Sequence, residues 1–257
     1  SGVMRTRVAG RAAMTRPDRE RDSDVNGHVH FPSYDTRTVP APTDTVVLLH
    51  GLGRSAGSMR PLERRVRAAG FRAVNLGYPS RCHGVEALVE RFVRPVVDEA
   101  RAVSERVHFV THSLGGILVR ALAEHDGLPD GARVVMLAPP NGGSEVADLV
   151  RRLLPFQWWC GPALDELGTG DESVPQALGT PDAEVGVIAG DRCLYPWFAP
   201  VLGGTNDGLV SLESAKLEGM ADFLVVRSGH GFIMRNREAG AQTVHFLQHG
   251  CFQRVSP

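Results

Sequence analysis

The stretch VHFVTHSLGG, residues 107–116, decides how this chain folds. Residues 107–110 form a short apolar run, typical of a strand that is buried on both faces of a parallel sheet. Residues 114–125 are predicted to be helical, so the chain must reverse sharply at Ser113. This order predicts one strand–turn–helix unit of an α/β protein.

Ser113 lies at the centre of the turn, where α/β sheets can carry a serine nucleophile. The residues two before and two after such a serine must be small, because strand and helix nearly touch there. Gly115 meets this need, and Thr111 stands where glycine is usual. The amides that open the following helix favour negative charge beside the serine. A helix-capping serine without a catalytic role is the alternative interpretation.

Five further apolar runs predict strands of the same buried kind: residues 46–49, 73–76, 134–137, 185–189 and 223–226. Helical patterns lie at residues 60–69, 85–105, 114–125 and 235–248. Pro95 is expected to kink the second of these helices. Because strands alternate with helices, we predict an α/β fold with a mostly parallel sheet of about six strands flanked by helices.

The regular pattern begins at residue 45 and divides the chain. Residues 1–44 include an Arg- and Asp-rich stretch with few large apolar side chains, so we expect a flexible extension there. Residues 45–257 are expected to form one domain. Within it, residues 139–181 interrupt the alternation after the strand that ends at Leu137, and we predict a cap beside the site. The cap holds three aromatic residues that either bind substrate or pack against the core: Phe156, Trp158 and Trp159.

The motif HGLG, residues 50–53, follows the strand at 46–49. Its glycines let the backbone curl so that the N–H of Leu52 can face Ser113. With the N–H of Leu114 it would form an oxyanion hole of two amides. His50 is interpreted as a structural imidazole that bonds the loop backbone, and a catalytic role is the alternative.

Asp207 and His230 complete the predicted site. Each follows a predicted strand, and ligands bind at the carboxyl ends of strands in open α/β sheets. The chain order Ser113, Asp207, His230 is the order that catalytic triads have on this kind of sheet. Asp191 follows its strand immediately and is the alternative acid.

The composition excludes several function classes. The 257 residues carry 28 basic and 29 acidic side chains, a net charge of −1, which argues against a nucleic-acid partner. No apolar run approaches the roughly 18 residues of a membrane-spanning helix. The chain shows no CxxC or HExxH motif, so we expect no metal. The preference for Arg over Lys suggests a bacterial source, and the absence of a secretory signal pattern suggests a cytoplasmic location.

Together, the motifs at residues 50–53, 111–116, 207–210 and 229–231 resemble those of the α/β-hydrolase superfamily. Within it the chain is most similar to small bacterial lipases and esterases, over about residues 45–250. The motif LAPPNGGS, residues 137–144, is similar to that of a group of proteobacterial lipase-like hydrolases. The resemblance implies hydrolysis of a small-molecule or lipid ester through an acyl-enzyme, without a metal or organic cofactor. Acyl transfer, amide hydrolysis and a catalytically silent binding protein are the alternatives.

Overall fold

A single six-stranded sheet forms the centre of the computed structural model, which describes residues 44–152 and 160–254. All pairings are parallel, in the order β2-β1-β3-β4-β5-β6. The strands are β1 (Thr45–Leu49), β2 (Arg72–Leu76), β3 (Val107–His112), β4 (Arg133–Leu137), β5 (Glu184–Gly190) and β6 (Asp222–Val226). The six strands predicted from the sequence are therefore confirmed, with ends that differ by at most two residues.

Helices connect the strands along the chain. The longer ones are α1 (Ala56–Ala68), α3 (Arg94–Val103), α4 (Leu114–Asp126), α5 (Glu145–Arg152) and α10 (Arg237–His249). The short ones are α2 (Val85–Leu88), α6 (Pro162–Asp165), α7 (Val174–Ala177), α8 (Ala199–Leu202) and α9 (Leu212–Ala215). A 3₁₀ helix, His230–Arg235, precedes α10. No helix in the described part of the chain is both long and apolar enough to cross a membrane.

The core lies in two layers, one on each face of the sheet. Side chains along a strand alternate between faces, so Val47 and Leu49 pack in one layer while Val46 and Leu48 pack in the other. The first layer contains α2, α3 and α4, and the second contains α1 and α10. Covering both faces with helices explains why the strands read as continuous apolar runs.

Pro95 distorts its helix as the sequence predicts. It is the second residue of α3, and the five residues before that helix, Val89–Val93, form a π-helical turn. Proline has no N–H to donate to the carbonyl of residue 91, and its ring clashes with that carbonyl. A wider turn relieves this clash and connects α2 to α3.

Strand β6 differs from the prediction that every strand is buried on both faces. Val225 is 39% exposed, and Phe223 and Leu224 are only partly buried. The reason is topological, because β6 pairs with β5 alone and forms one edge of the sheet. An edge strand receives less cover from helices than a central strand such as β3.

A buried arginine of α4 binds backbone carbonyls of the described residues between β4 and β5. The guanidinium of Arg120 donates to the carbonyls of Asn141 at 3.0 Å, Pro175 at 2.9 Å and Gly179 at 3.2 Å. Asn141, Pro175 and Gly179 thereby lie against the helix that directly follows Ser113. Phe156, Trp158 and Trp159 lie outside the described residues, as do residues 1–43, so the roles expected for them stay predictions.

Candidate active site

Ser113 occupies a strained turn between β3 and α4. Its backbone angles are φ 52° and ψ −120°, a region that non-glycine residues seldom adopt. The N–H of Ser113 donates to the carbonyl of Leu137 on the neighbouring strand β4 at 2.9 Å, which fixes the turn to the sheet. Strain of this kind persists only where the surrounding structure enforces it, and it is concentrated at functional sites.

Close packing behind the turn explains the small residues around Ser113. A Cβ on Gly115 would lie 2.7 Å from the carbonyl oxygen of Leu49 and 2.9 Å from its Cβ. These are sub-van der Waals distances to a strand backbone that cannot move aside. Thr111 is also fully buried, and its Oγ1 lies 3.4 Å from the position that a Cβ on Gly116 would take.

The structure brings Ser113, His230 and Asp207 together. The Nε2 atom of His230 lies 3.1 Å from Ser113 Oγ, and its Nδ1 atom lies 2.9 Å from Asp207 Oδ2. Asp207 and His230 are 1% and 6% exposed, while Ser113 is only half-buried. The serine can therefore be reached from solvent, whereas the hydrogen-bonded pair of His230 and Asp207 behind it is shielded from water.

Backbone donors fix the carboxylate of Asp207. Its Oδ1 accepts the N–H groups of Leu209 at 3.0 Å and Val210 at 2.8 Å, which leaves Oδ2 for His230. The N–H of His230 also donates to the Asp207 carbonyl at 3.0 Å. The alternative acid, Asp191, instead has its Oδ1 3.7 Å from the Nε of the neighbouring Arg192.

The loop after β1 passes directly over the serine. A Cβ on Gly51 would lie 3.1 Å from Ser113 Cβ, so only glycine permits this approach. The Gly53 amide donates to Ser80 Oγ in the segment after β2 at 3.0 Å, and the Arg54 amide donates to the Gly51 carbonyl at 3.1 Å. Leu52 is half-buried at the centre of this turn. On the other side of the serine, Leu114 is the first residue of α4, where helix amides lack intrahelical partners.

His50 bonds the loop backbone. Its Nδ1–H donates to the Gly51 carbonyl at 2.9 Å, and its Nε2 accepts the N–H of Tyr78 at 3.3 Å. The imidazole also stacks on the Tyr78 ring, with centroids 4.0 Å apart. Burial lowers the pKa of His50, so the ring is neutral and braces the loop after β1 against the segment after β2.

Sequence reasoning missed His112, which lies between the loop after β1 and His230. It is 1% exposed, and its Nε2–H donates to the backbone carbonyl of His230 at 3.0 Å. Burial first, and then the neighbouring His230, lower the pKa of His112 well below its ordinary value. Its Nδ1 would lie 2.7 Å from a Cβ on Gly51, so this neutral ring is packed between the two loops. The only sequence signal was its position next to Ser113.

Sequence reasoning also missed an apolar surface beside the site, which we call the apolar rim. Six large apolar side chains are exposed among the described residues, and four of them lie in this rim. The exposed members are Leu194, Trp197, Val201 and Phe232, and the partly buried members are Tyr195 and Phe198. The signal was the stretch LYPWF, residues 194–198, whose proline argues against a buried strand.

The apolar rim lies against the segments that carry Asp207 and His230. A Cβ on Gly229, next to His230, would lie 2.5 Å from Leu194 Cδ1. A Cβ on Gly208, next to Asp207, would lie 2.9 Å from Tyr195 Cδ2. The rim is therefore continuous with the candidate active site.

An all-parallel sheet with a strained serine at the turn after a central strand is the architecture of the α/β hydrolases. The sequence profile of the alpha/beta hydrolase family matches residues 46–243. The chain belongs to this family, as its motifs predicted.

Solved structures of lipolytic enzymes share the fold at low identity. The mature form of the Bacillus licheniformis lipase BlEst2 superposes with a TM-score of 0.58 and 18% identity, over 84% of this chain and 94% of that one. The phospholipase PlaB from Legionella pneumophila superposes with a TM-score of 0.64 and 19% identity, over 82% and 60%. The chain covers only 52% of the propeptide form of BlEst2. No curated protein matches the sequence significantly.

Proposed function

We propose that this protein is a serine hydrolase that cleaves carboxylic esters through an acyl-enzyme intermediate. The observation that carries the proposal is the line of contacts from Ser113 through His230 to Asp207, at 3.1 Å and 2.9 Å. A hydroxyl is a weak nucleophile until an adjacent base takes its proton, and this arrangement supplies the base. Membership of the alpha/beta hydrolase family supports the same chemistry.

In the acylation step, Ser113 Oγ bonds to the ester carbonyl carbon while its proton moves to His230 Nε2. The carbonyl electron pair moves onto oxygen and forms a tetrahedral oxyanion. When that intermediate collapses, the bond from carbon to the alcohol oxygen breaks, and His230 Nε2–H protonates the leaving alcohol. A water molecule then attacks the acyl-enzyme by the same proton route and releases the acid.

Asp207 acts through His230. By accepting a hydrogen bond from Nδ1–H, it leaves the lone pair of Nε2 facing Ser113, and it stabilises the imidazolium that forms. The two backbone N–H groups on Oδ1 hold the carboxylate in the orientation that points Oδ2 at the imidazole.

The oxyanion would be held by the amides of Leu52 and Leu114. Gly51 brings the loop close to Ser113, and the start of α4 supplies the second donor. Each preorganised donor of this kind contributes about 3 kcal/mol to transition-state stabilisation. The two donors follow neighbouring strands, since Leu49 of β1 pairs with Thr111 of β3.

The apolar part of the substrate would lie on the apolar rim. An exposed cluster of large apolar side chains is unusual on a protein surface and marks a place where apolar groups bind. This rim borders His230 and Asp207, so the acyl chain or the alcohol of a small-molecule or lipid ester can contact it while its carbonyl reaches Ser113.

The test is a panel of 4-nitrophenyl esters of increasing acyl length, assayed with wild type and with Ser113→Ala. We expect Ser113→Ala to reduce kcat/KM by about 10⁴-fold or more, because no other hydroxyl can form the acyl-enzyme there. Ser55→Ala is the matched control, since the Ser55 side chain makes no helix-cap hydrogen bond. An Ser113→Ala variant with near wild-type turnover would refute the proposal. Product analysis with an added alcohol or amine separates hydrolysis from acyl transfer.

A further inference from the structure

Two polar side chains from opposite loops converge above the residue that follows His230. A Cβ on Gly231 would lie 2.5 Å from Arg54 Nη2 and 3.9 Å from the hydroxyl of Tyr195. Arg54 belongs to the loop after β1, and Tyr195 belongs to the loop after β5. A guanidinium and a phenol therefore approach the same backbone position, Gly231, directly beside the proposed base.

Arg54 is placed by the same turn that places the proposed oxyanion hole. It directly follows Gly53, and its N–H donates to the Gly51 carbonyl at 3.1 Å. Its side chain is exposed, and within residues 44–152 and 160–254 no carboxylate forms an ion pair with it. The guanidinium thus faces the site with its charge available to a ligand.

We propose that Arg54 and Tyr195 form an anion-recognition pair that selects esters bearing a carboxylate or phosphate group. This proposal rests on the proposed ester hydrolysis. The planar guanidinium presents donors in the geometry that matches either anion, and the phenol adds one O–H donor. The apolar rim contains Tyr195 itself, so the same substrate would place an apolar part beside its anionic group. The substrate class is therefore an amphiphilic, anionic ester.

Gly231 is the structural condition for this pair. Gly231 has no side chain, so the Arg54 guanidinium can lie over the backbone of the 3₁₀ helix that begins at His230. Any larger residue would push the end of the arginine away from Tyr195. A glycine at this position is otherwise not required, since its φ lies outside the positive range.

The test compares matched pairs of anionic and neutral esters. One pair is the 4-nitrophenyl hemi-ester of glutaric acid and 4-nitrophenyl valerate, which place the charge on the acyl side. The other pair is butyryl glycerol 3-phosphate and monobutyrin, which place it on the alcohol side. For each pair the measured quantity is the ratio of kcat/KM for the anionic ester to kcat/KM for the neutral ester. We expect wild type to favour the anionic ester in at least one pair.

In that pair, Arg54→Gln should lower the ratio by about tenfold, mainly through KM, because a charge-assisted hydrogen bond is lost. Arg54→Glu should lower it further, since a carboxylate repels the substrate anion. Tyr195→Phe should lower it roughly threefold, as expected for one neutral donor. Arg64→Gln, which removes an exposed arginine of α1, is the matched control and should leave the ratio unchanged.

Two results would overturn the anion-recognition pair while the proposed function stands. In the first, Ser113 reacts with a fluorophosphonate and neutral esters are cleaved, but wild type favours the neutral ester in both pairs. In the second, Arg54→Gln changes the ratio no more than Arg64→Gln does. If none of the four esters is cleaved and Ser113 does not react, the proposed function fails, and the pair fails with it.

Discussion

The Nε2 atom of His230 lies 3.1 Å from the Oγ atom of Ser113, although 117 positions separate the two residues in the chain. The strained turn after β3 presents the serine, and the turn after β6 presents the imidazole. Neither turn alone contains both the hydroxyl and the imidazole of this contact. The parallel sheet creates the site by placing the carboxyl ends of its strands along one edge, where the loops meet.

Asp207→Asn should lower kcat by up to about 10⁴-fold, because an amide stabilises the wrong tautomer of His230. Asp191→Asn should have a far smaller effect, since Asp191 lies beside Arg192 and not beside the imidazole. Steady-state kinetics on a short ester measures both. A larger loss for Asp191→Asn than for Asp207→Asn would contradict the assignment of the acid.

Gly115→Ala should destabilise the fold by about 1–3 kcal/mol, because the new methyl group would overlap the backbone of Leu49. The strain should also separate the loop at Gly51 from Ser113 and lower kcat. Gly170→Ala is the control, since no atom lies within 4 Å of its Cβ position. Urea unfolding measures the effect, and equal stability of the two variants would show that β1 and α4 are not in close contact.

If the apolar rim holds the acyl group, Trp197→Ala and Phe232→Ala should lower kcat/KM selectively for esters with long acyl chains. A buried methylene contributes about 0.8 kcal/mol to binding, so the loss in kcat/KM should grow several-fold for each two carbons of the acyl chain. An acetyl ester should be cleaved nearly as fast as by wild type. Val103→Ala, which removes an exposed apolar side chain of α3, serves as the control. An unchanged chain-length profile in both variants would place the acyl group elsewhere.

The sequence predicted the sheet well and the surroundings of the site poorly. The strands were found because each is an apolar run that two helical layers cover. Ser113, Asp207 and His230 were predicted to lie together because each follows such a run, and the structure places them within hydrogen-bonding distance. The burial of β6 was overestimated, since a local pattern does not reveal which strand forms an edge. The apolar rim and the convergence of Arg54 and Tyr195 were missed because they depend on how loops pack together.

Acid should weaken the fold through its buried histidines. Burial lowers the pKa of His50 and of His112, so both remain neutral in the folded chain while the unfolded chain binds protons below about pH 6.5. Stability is therefore complete above that pH and declines as pH falls, by up to about 1.4 kcal/mol per pH unit for each group. Urea unfolding between about pH 7 and pH 5 measures this slope.

His112→Asn should flatten that slope, because asparagine does not titrate. His125→Asn, which replaces an exposed histidine of α4, should leave the slope unchanged. Identical slopes in wild type and His112→Asn would show that the buried imidazole does not govern the acid sensitivity.

The central claim is that Ser113 is the nucleophile, and covalent labelling tests it most directly. The folded protein would be treated with a fluorophosphonate, and the adduct located by peptide mass spectrometry. We predict a single adduct on Ser113, none on Ser113→Ala, and labelling slowed by orders of magnitude in His230→Ala, because the base is needed to activate the hydroxyl. A protein that stays unlabelled, or one labelled equally well in Ser113→Ala, would contradict the account.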